Sequence, residues 1–352
     1  MIQPATPENI ALAAELLKKS KVVGMPTETV YGLAGSVFDE VALTRIFEAK
    51  ERPTFDPLIV HVSGEPSLAR LSDLELVDLS KLSVLAITRA EKLIQKFWPG
   101  PLTLVLPKKS TVPDLVTSGL PSVGVRMPRH PVARALIDAA GTPLAAPSAN
   151  RFGRISPTTA SAVESELGER ISLILDGGPS DVGLESTVLL IEAGGDVKQL
   201  RPGGISLQEI ESLLGITVTA ILAGGPSASP GTLDSHYAPS KPFYLLKCTI
   251  AECTELDFEF QLPSEIGLLI MGGDPEDAAA KLKRLTGVKK VTARSLSLSG
   301  DIAEAGRNLF ASLRFLDESG ALIIFSEPCS ATHGLGHAIA DRLRRASHSP
   351  KD

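Results

Sequence analysis

The stretch "MPTETVYGLAG", Met25 to Gly35, follows the apolar pair Val22–Val23 and gathers two threonines, a glutamate, a tyrosine and two glycines. An apolar strand running into a polar, glycine-punctuated turn presents side chains at the edge of a sheet, where α/β proteins bind ligands. Upstream, Ile10, Leu12, Ala13, Leu16 and Leu17 give Pro7 to Lys19 a helical apolar face, and "KVVGM" reads as a strand. Downstream, a helix is predicted from about Val41 to Ala49, with Asp39 to cap its start and Pro53 to forbid its continuation. It carries Lys50 and Arg52 to its C-terminal end. "PLIVHV", "LTLVLP", "SVGVRMP", "PLAAPS", "SLILDGG" and "STVLLIE" are further strand candidates, most of them bounded by Pro or Gly. Together they predict an α/β fold: one twisted mixed sheet with helices.

At 352 residues the chain is long for one domain, since roughly 150 residues per domain is usual. The passage 213–241 is rich in Gly, Pro and Ser and breaks all periodicity, as a linker or an ordered crossing loop does. After it the pattern restarts with "PFYLL" and "EIGLLIMG", a helix near Asp274 to Leu285, "VKKVTARSL", a helix from Asp301, "ALIIFSE" and "HAIADRLRRAS". Residues 1–215 are therefore expected to form one domain, 216–240 a linker, and 241–352 a small second α/β domain. No basic leader and no apolar run near the roughly 20 residues of a membrane span is present, which predicts a cytoplasmic protein without membrane contact. Cys248, Cys253 and Cys329 lack C-x-x-C spacing and are expected to be reduced, mostly buried thiols. A formal net charge of −6 argues against a chain that coats nucleic acid.

The polar residues cluster after the predicted strands. Lys50 and Arg52 beside a proline-fixed turn could grip an anion, or could merely complement a helix dipole, with Asp56 and His61 close behind. Arg126 stands in an apolar strand with Ser122 on the same face, and a buried arginine requires a bound anion or an internal carboxylate. Ser148, Asn150, Ser156 and Thr158 offer hydroxyl and amide groups on one loop. Glycines precede Glu185, Ser186 and Thr187 in another, and "RPGG" at Arg201 with "SHYAP" at His236 and Tyr237 adds a cation and an aromatic. Neither G-x-x-x-x-G-K-[ST] nor G-x-G-x-x-G is present, which disfavours a Walker loop or a dinucleotide fold. Cation-bearing loops converging on one sheet edge suit a polyphosphate.

"PTETVYGLAG", "AKERP", "PLIVHV", "FWPGPLTLVL", "VGVRMP", "PLAAPSAN", "LESTV", "RPGG" and "SPGTLDSHYAP", in this order, resemble the Sua5/YrdC family of L-threonylcarbamoyladenylate synthases. The likeness covers roughly Ala5 to Ser240, and the remainder resembles the extra, Rossmann-like domain of the longer Sua5 branch. The resemblance implies a nucleotidyltransferase using L-threonine, bicarbonate and ATP with Mg2+, whose product serves t6A formation on tRNA through a downstream threonylcarbamoyl transferase. It implies threonine contacts at Thr29, His61, Arg126, the backbone of Ala146, and Ser186. It implies ATP contacts at Arg52, Asp56, Ser122, Ser148, Ser156, Arg201 and Tyr237, with Lys50 and Arg52 acting catalytically on the phosphates and Tyr237 on a flap over the nucleotide. No side chain is assigned as a metal ligand. Phe152 stands where the family usually has serine, and Asp56 where asparagine is common. The rival expectation is a double-stranded RNA or tRNA-binding module without adenylation; weak tRNA binding is also compatible with an active enzyme. A second rival, carbamoyl transfer from carbamoyl phosphate, lacks the acylphosphatase and zinc-finger-like segments that accompany it.

Overall fold

The computed structural model describes residues 1–221, 237–256, 258–330 and 334–347. Met1–Phe152 with Ser156–Leu233 forms one compact unit, and Gly153–Ile155 with Asp234–Asp352 forms another.

The first unit is built on an eleven-stranded sheet. Its strands are β1 (Ile2–Pro4), β2 (Val23–Met25), β3 (Gly32–Ser36), β4 (Ile59–His61), β5 (Leu102–Pro107), β6 (Ser122–Arg126), β7 (Leu144–Ala145), β8 (Leu173–Asp176), β9 (Thr187–Ile191), β10 (Val197–Arg201) and β11 (Thr219–Ala220). They lie in the order β1-β8-β2-β3-β7-β4-β6-β5-β9-β10-β11. Parallel pairs such as β4 with β6 alternate with antiparallel ones such as β5 with β6, so the sheet is mixed. The helix Glu40–Lys50 starts where the Asp39 carboxylate accepts the N–H groups of Val41 and Ala42, and stops at Glu51 in the left-handed conformation.

Two sequence expectations change here. Gly32 to Gly35 is not turn but strand β3, which returns antiparallel to β2 and confines the turn to the six residues between Met25 and Gly32. The glycines serve close approach: a Cβ at Gly32 would lie 3.1 Å from the Ala146 methyl, and one at Gly35 would lie 3.0 Å from Ile46. Second, β11 pairs in parallel with β10, and Val218 joins the core, so the sheet continues to Ala220, inside the predicted linker. Residues 222–236 of that linker, with His236, lie outside the described residues.

Alternation along the central strands separates two faces. Leu58, Val60, Leu102, Leu104, Leu106, Val123, Val125 and Leu189 point into the main core. Their neighbours Ile59, His61, Thr103, Val105, Ser122, Gly124, Arg126 and Val188 point the other way.

The second unit is a parallel sheet ordered β12-β15-β13-β14, from β12 (Phe243–Leu245), β13 (Glu265–Gly272), β14 (Lys290–Ser297) and β15 (Ile323–Ser326). The helices Pro275–Thr286 and Ile302–Glu318 make the crossovers, and the second buries Ala305, Leu309, Leu313 and Leu316. Tyr237 belongs to this unit, fully buried with its ring 5.5 Å from Phe310 and under the Arg342 guanidinium at 5.4 Å. The thiol expectation is corrected: Cys248 and Cys253 form a disulfide across a turn. Among the described residues no helix is long and apolar enough to cross a membrane.

Candidate active site

The second face of the central sheet carries the chemistry, so the convergence is on a face and not at an edge. His61 on β4 is in register with Arg126 on β6, and Arg126 with Thr103 on β5, which sets these side chains in one row. All three are buried. The turn after β2 supplies Thr29, whose hydroxyl accepts from Arg126 Nη1 at 2.7 Å and lies 2.9 Å from the Thr27 hydroxyl. It also supplies Glu28, whose Oε1 is 2.7 Å from Arg126 Nη2. Burial pushes the Glu28 carboxyl up, but the Arg126 guanidinium together with the backbone N–H groups of Arg129 and Glu28 holds it below the usual range. Burial first, then Arg126, pushes His61 down to about 3. The ring is therefore neutral. Its Nδ1 lies 3.2 Å from the Ile59 carbonyl, which can only accept, so Nε2 is the acceptor nitrogen.

The row continues into the loop before β9. The Ser186 hydroxyl lies 2.8 Å from that of Thr103, and Arg201 donates to both the carbonyl and the hydroxyl of Ser186 at 3.0 and 3.1 Å. A register shift between Gln199 and Arg201 sets Arg201 opposite Val188 and so onto this face. "RPGG" has a steric reason: a Cβ at Gly203 would come within 2.4 Å of the backbone at Glu185, Ser186 and Thr187. Beside the polar row, Ile59, Val105, Gly124 and Val188 line an apolar floor with Ser122 at its border.

A second polar group forms around the helix Glu40–Lys50. Lys50 is buried and donates from Nζ to the carbonyls of Ser148 and Asn150, so it ties down that loop; burial, then Arg52, pushes its ammonium well below the ordinary lysine range. Arg52 Nη2 meets Asp56 Oδ2 at 2.8 Å with both side chains buried, and donates to the Pro57 carbonyl. Burial raises the Asp56 carboxyl against the pull of Arg52, Lys50 and Arg201. Asp56 is thus the internal counter-ion of Arg52. Ser156 donates to Glu185 at 2.7 Å. The Ala146 N–H is spent on the Ile59 carbonyl. Phe152, half-buried, donates its backbone N–H to the Lys50 carbonyl, a contact indifferent to side chain. Tyr237 groups with the second unit.

A family model described as "Telomere recombination", for Sua5, YciO and YrdC proteins, matches residues 15–203. Another, described as "Threonylcarbamoyl-AMP synthase, C-terminal domain", matches residues 205–348. The chain belongs to the Sua5/YrdC family. A threonylcarbamoyl-AMP synthase of Pyrococcus abyssi is 38% identical over 96% of this chain and 94% of its own length. One of Bacillus subtilis is 37% identical over 96% and 92%. The crystal structure of P. abyssi Sua5 complexed with L-threonine superposes with a TM-score of 0.77 at 34% identity, covering 99% of this chain and 96% of that one.

Within this Sua5/YrdC framework the structure brings Thr29, His61, Arg126 and Ser186 together, and Lys50, Arg52, Asp56 and Ser148 into the neighbouring group. Two participants had escaped the sequence, Glu28 and Thr103, each buried and each in contact with a residue named above, while Glu185, named with its loop, proves to be the partner of Ser156. A signal existed for Thr103, the single hydroxyl in the apolar run "PLTLVLP". Glu28 was the internal carboxylate that a buried Arg126 required.

Proposed function

We propose that this chain is a threonylcarbamoyl-AMP synthase that converts L-threonine, bicarbonate and ATP into L-threonylcarbamoyladenylate and pyrophosphate, the first step of t6A formation on tRNA. The observation that carries this proposal is one sheet face with an amino-acid-sized polar row at one end, an apolar floor beside it, and Lys50, Arg52 and Arg201 near the other. The L-threonine named in the crystal structure of the P. abyssi relative supports the choice of amino acid.

Arg126 takes the threonine carboxylate, while Thr29, His61 Nε2 and Ser186 surround the rest of the molecule. The flat floor at Gly124 takes the adenine, with Ser122 at its border. The threonine amine loses a proton and forms a C–N bond with the bicarbonate carbon; the departing hydroxide takes that proton and leaves as water. A carbamate oxygen then attacks the α-phosphorus, and the bond to pyrophosphate breaks. Negative charge gathers on the phosphates in this step, and the fixed cations Arg52 and Arg201 stabilise it through their field without reorganising, with the Lys50 amine beside them. Because Lys50 and Arg201 already bond to backbone carbonyls, their role includes holding the Ser148 and Ser186 loops in place.

Among the described residues no group of three or more His, Cys, Asp or Glu side chains could hold a metal ion. Asp56 and Glu185 are engaged by Arg52 and Ser156. Mg2+ bound with the nucleotide would supply charge neutralisation at the phosphates, beside Arg52 and Arg201. Cytoplasmic location, a flap role for Tyr237 and delivery of the product to a tRNA-modifying transferase belong to the same proposal.

The test is pyrophosphate release from ATP and bicarbonate with L-threonine, L-serine or no amino acid. Threonine-dependent release is expected; release with none of them from folded protein would overturn the proposal.

A further inference from the structure

Glu28 has no part in the scheme above, yet it is the most enclosed carboxylate of the polar row, 1% exposed. Its backbone carbonyl accepts the Val182 N–H at 2.8 Å, which fixes the turn, and its carboxylate approaches Arg126 Nη2 at 2.7 Å. Both Glu28 oxygens and Arg126 Nη2 are enclosed without an aligned hydrogen-bond partner, while the Arg126 guanidinium and the backbone N–H groups of Arg129 and Glu28 pull the carboxyl down from nearby. Arg126 is otherwise fully employed in positioning, with Nε on the Gly100 carbonyl and Nη1 on Thr29.

A buried pair that served only the fold would gain from aligned, bidentate geometry, because hydrogen bonds offset the desolvation of the two charges. Here a cationic donor and an anionic acceptor stand side by side, both enclosed and neither in an aligned hydrogen bond. The complement of such a pair is a ligand with an anionic acceptor next to a cationic donor, which is the carboxylate and ammonium of a free α-amino acid. We propose that Glu28 receives the α-ammonium group of the amino acid whose carboxylate Arg126 binds, so that the pair recognises both charged ends at once. This rests on the threonine proposal above.

The four charges then alternate in sign, and the amino acid enters a dry site without an uncompensated charge. Glu28 also fixes where the nitrogen stands when it meets the bicarbonate carbon. It orients the nitrogen and does not retain its proton, since Arg126 keeps the carboxylate ionised. Two protons leave the ammonium on the way to the carbamate: one passes to solvent before the free amine attacks, and the other leaves with the hydroxide of bicarbonate as water.

The test is calorimetric binding of L-threonine and of 3-hydroxybutyrate, the same molecule without its amine, to wild type, Glu28→Gln and Glu28→Asp, alongside pyrophosphate release. Wild type is expected to prefer threonine, and Glu28→Gln to shrink that preference by about tenfold to a hundredfold, the range for hydrogen bonds to charged groups. Glu28→Asp, which keeps the charge, should retain most of it. A role limited to neutralising Arg126 would weaken both ligands equally and leave the ratio unchanged, which would overturn the proposal. So would a wild type that binds both ligands alike, whether or not either variant folds. Wild type that neither binds threonine nor releases pyrophosphate would instead overturn the parent proposal, and this one with it.

Discussion

Replacing Arg52 by methionine leaves the Asp56 carboxylate buried, 0% exposed, without the guanidinium that lies 2.8 Å away. Removing one partner of a buried pair costs about 3–5 kcal/mol, because the survivor stays desolvated and uncompensated. For a unit of this size each kcal/mol lowers Tm by roughly 2–4 °C, so Arg52→Met should melt roughly 6–20 °C below wild type. Neutralising the survivor as well, in Arg52→Met/Asp56→Asn, should bring stability back to within about 1–2 kcal/mol of wild type, since apolar or neutral replacements of buried pairs are often nearly neutral. Activity should not follow stability. Both variants lack the cation proposed to act on the phosphates, so threonine-dependent pyrophosphate release should fall at least about a hundredfold in each. Differential scanning calorimetry and steady-state turnover on the three proteins decide the matter. If single and double variants melt together, the pair is not energetically coupled. If the folded double variant turns over like wild type, Arg52 has no place in the reaction.

His61 titrates near 3 when folded against 6.5 in the unfolded chain, so the unfolded state binds the extra proton between those values and stability falls as pH drops through that window. The loss is about 1.4 kcal/mol per pH unit, and His61→Gln should flatten it in denaturant titrations between pH 6 and 4, taken at about half-unit steps. Gly203→Ala forces a methyl against backbone atoms at 2.4 Å and should destabilise by about 3 kcal/mol or displace Ser186, read as a lower Tm with weakened threonine binding. Lys50→Met relieves one buried ammonium but frees the carbonyls of Ser148 and Asn150. Its Tm should therefore change little, while the KM for ATP rises at least about tenfold as that loop loosens.

The helices and central strands were legible because period and burial agree. "PLIVHV" alternates between core and site as β4 does, and Asp39 caps the helix it was expected to cap. Strand β3 was misread because glycine has two uses that a sequence does not separate. At Gly32 and Gly35 it admits a neighbouring methyl or side chain, and there is no turn. The short β7 and β11 carry too few residues for a period to show, and only their partners in space define them. Cys248 and Cys253 escaped because a five-residue spacing implies nothing until a turn folds the two sulfurs together.

The site was legible as residue types and illegible as geometry, for a reason visible in the strand register. Thr103 and Arg126 are 23 positions apart and His61 and Arg126 are 65, yet all three are lateral neighbours because β4, β6 and β5 lie side by side. Such adjacency depends on strand order, and strand order is a property of the whole sheet. Cations were conspicuous in the sequence because burying them demands explanation; their carboxylate partners were not, since an isolated Glu or Asp reads as a solvated side chain. Glu28 shows the consequence, and Asp56, named only as a nucleotide contact, was not recognised as the partner of Arg52. Each stands buried against the arginine that marked the site, and in both pairs the carboxylate oxygens are enclosed without an aligned hydrogen bond. The difference lies in the arginines: Arg52 Nη2 donates to the Pro57 carbonyl, whereas Arg126 Nη2 has no aligned acceptor. A buried cationic donor left in that state is where an anionic group of a small molecule has most to gain by binding.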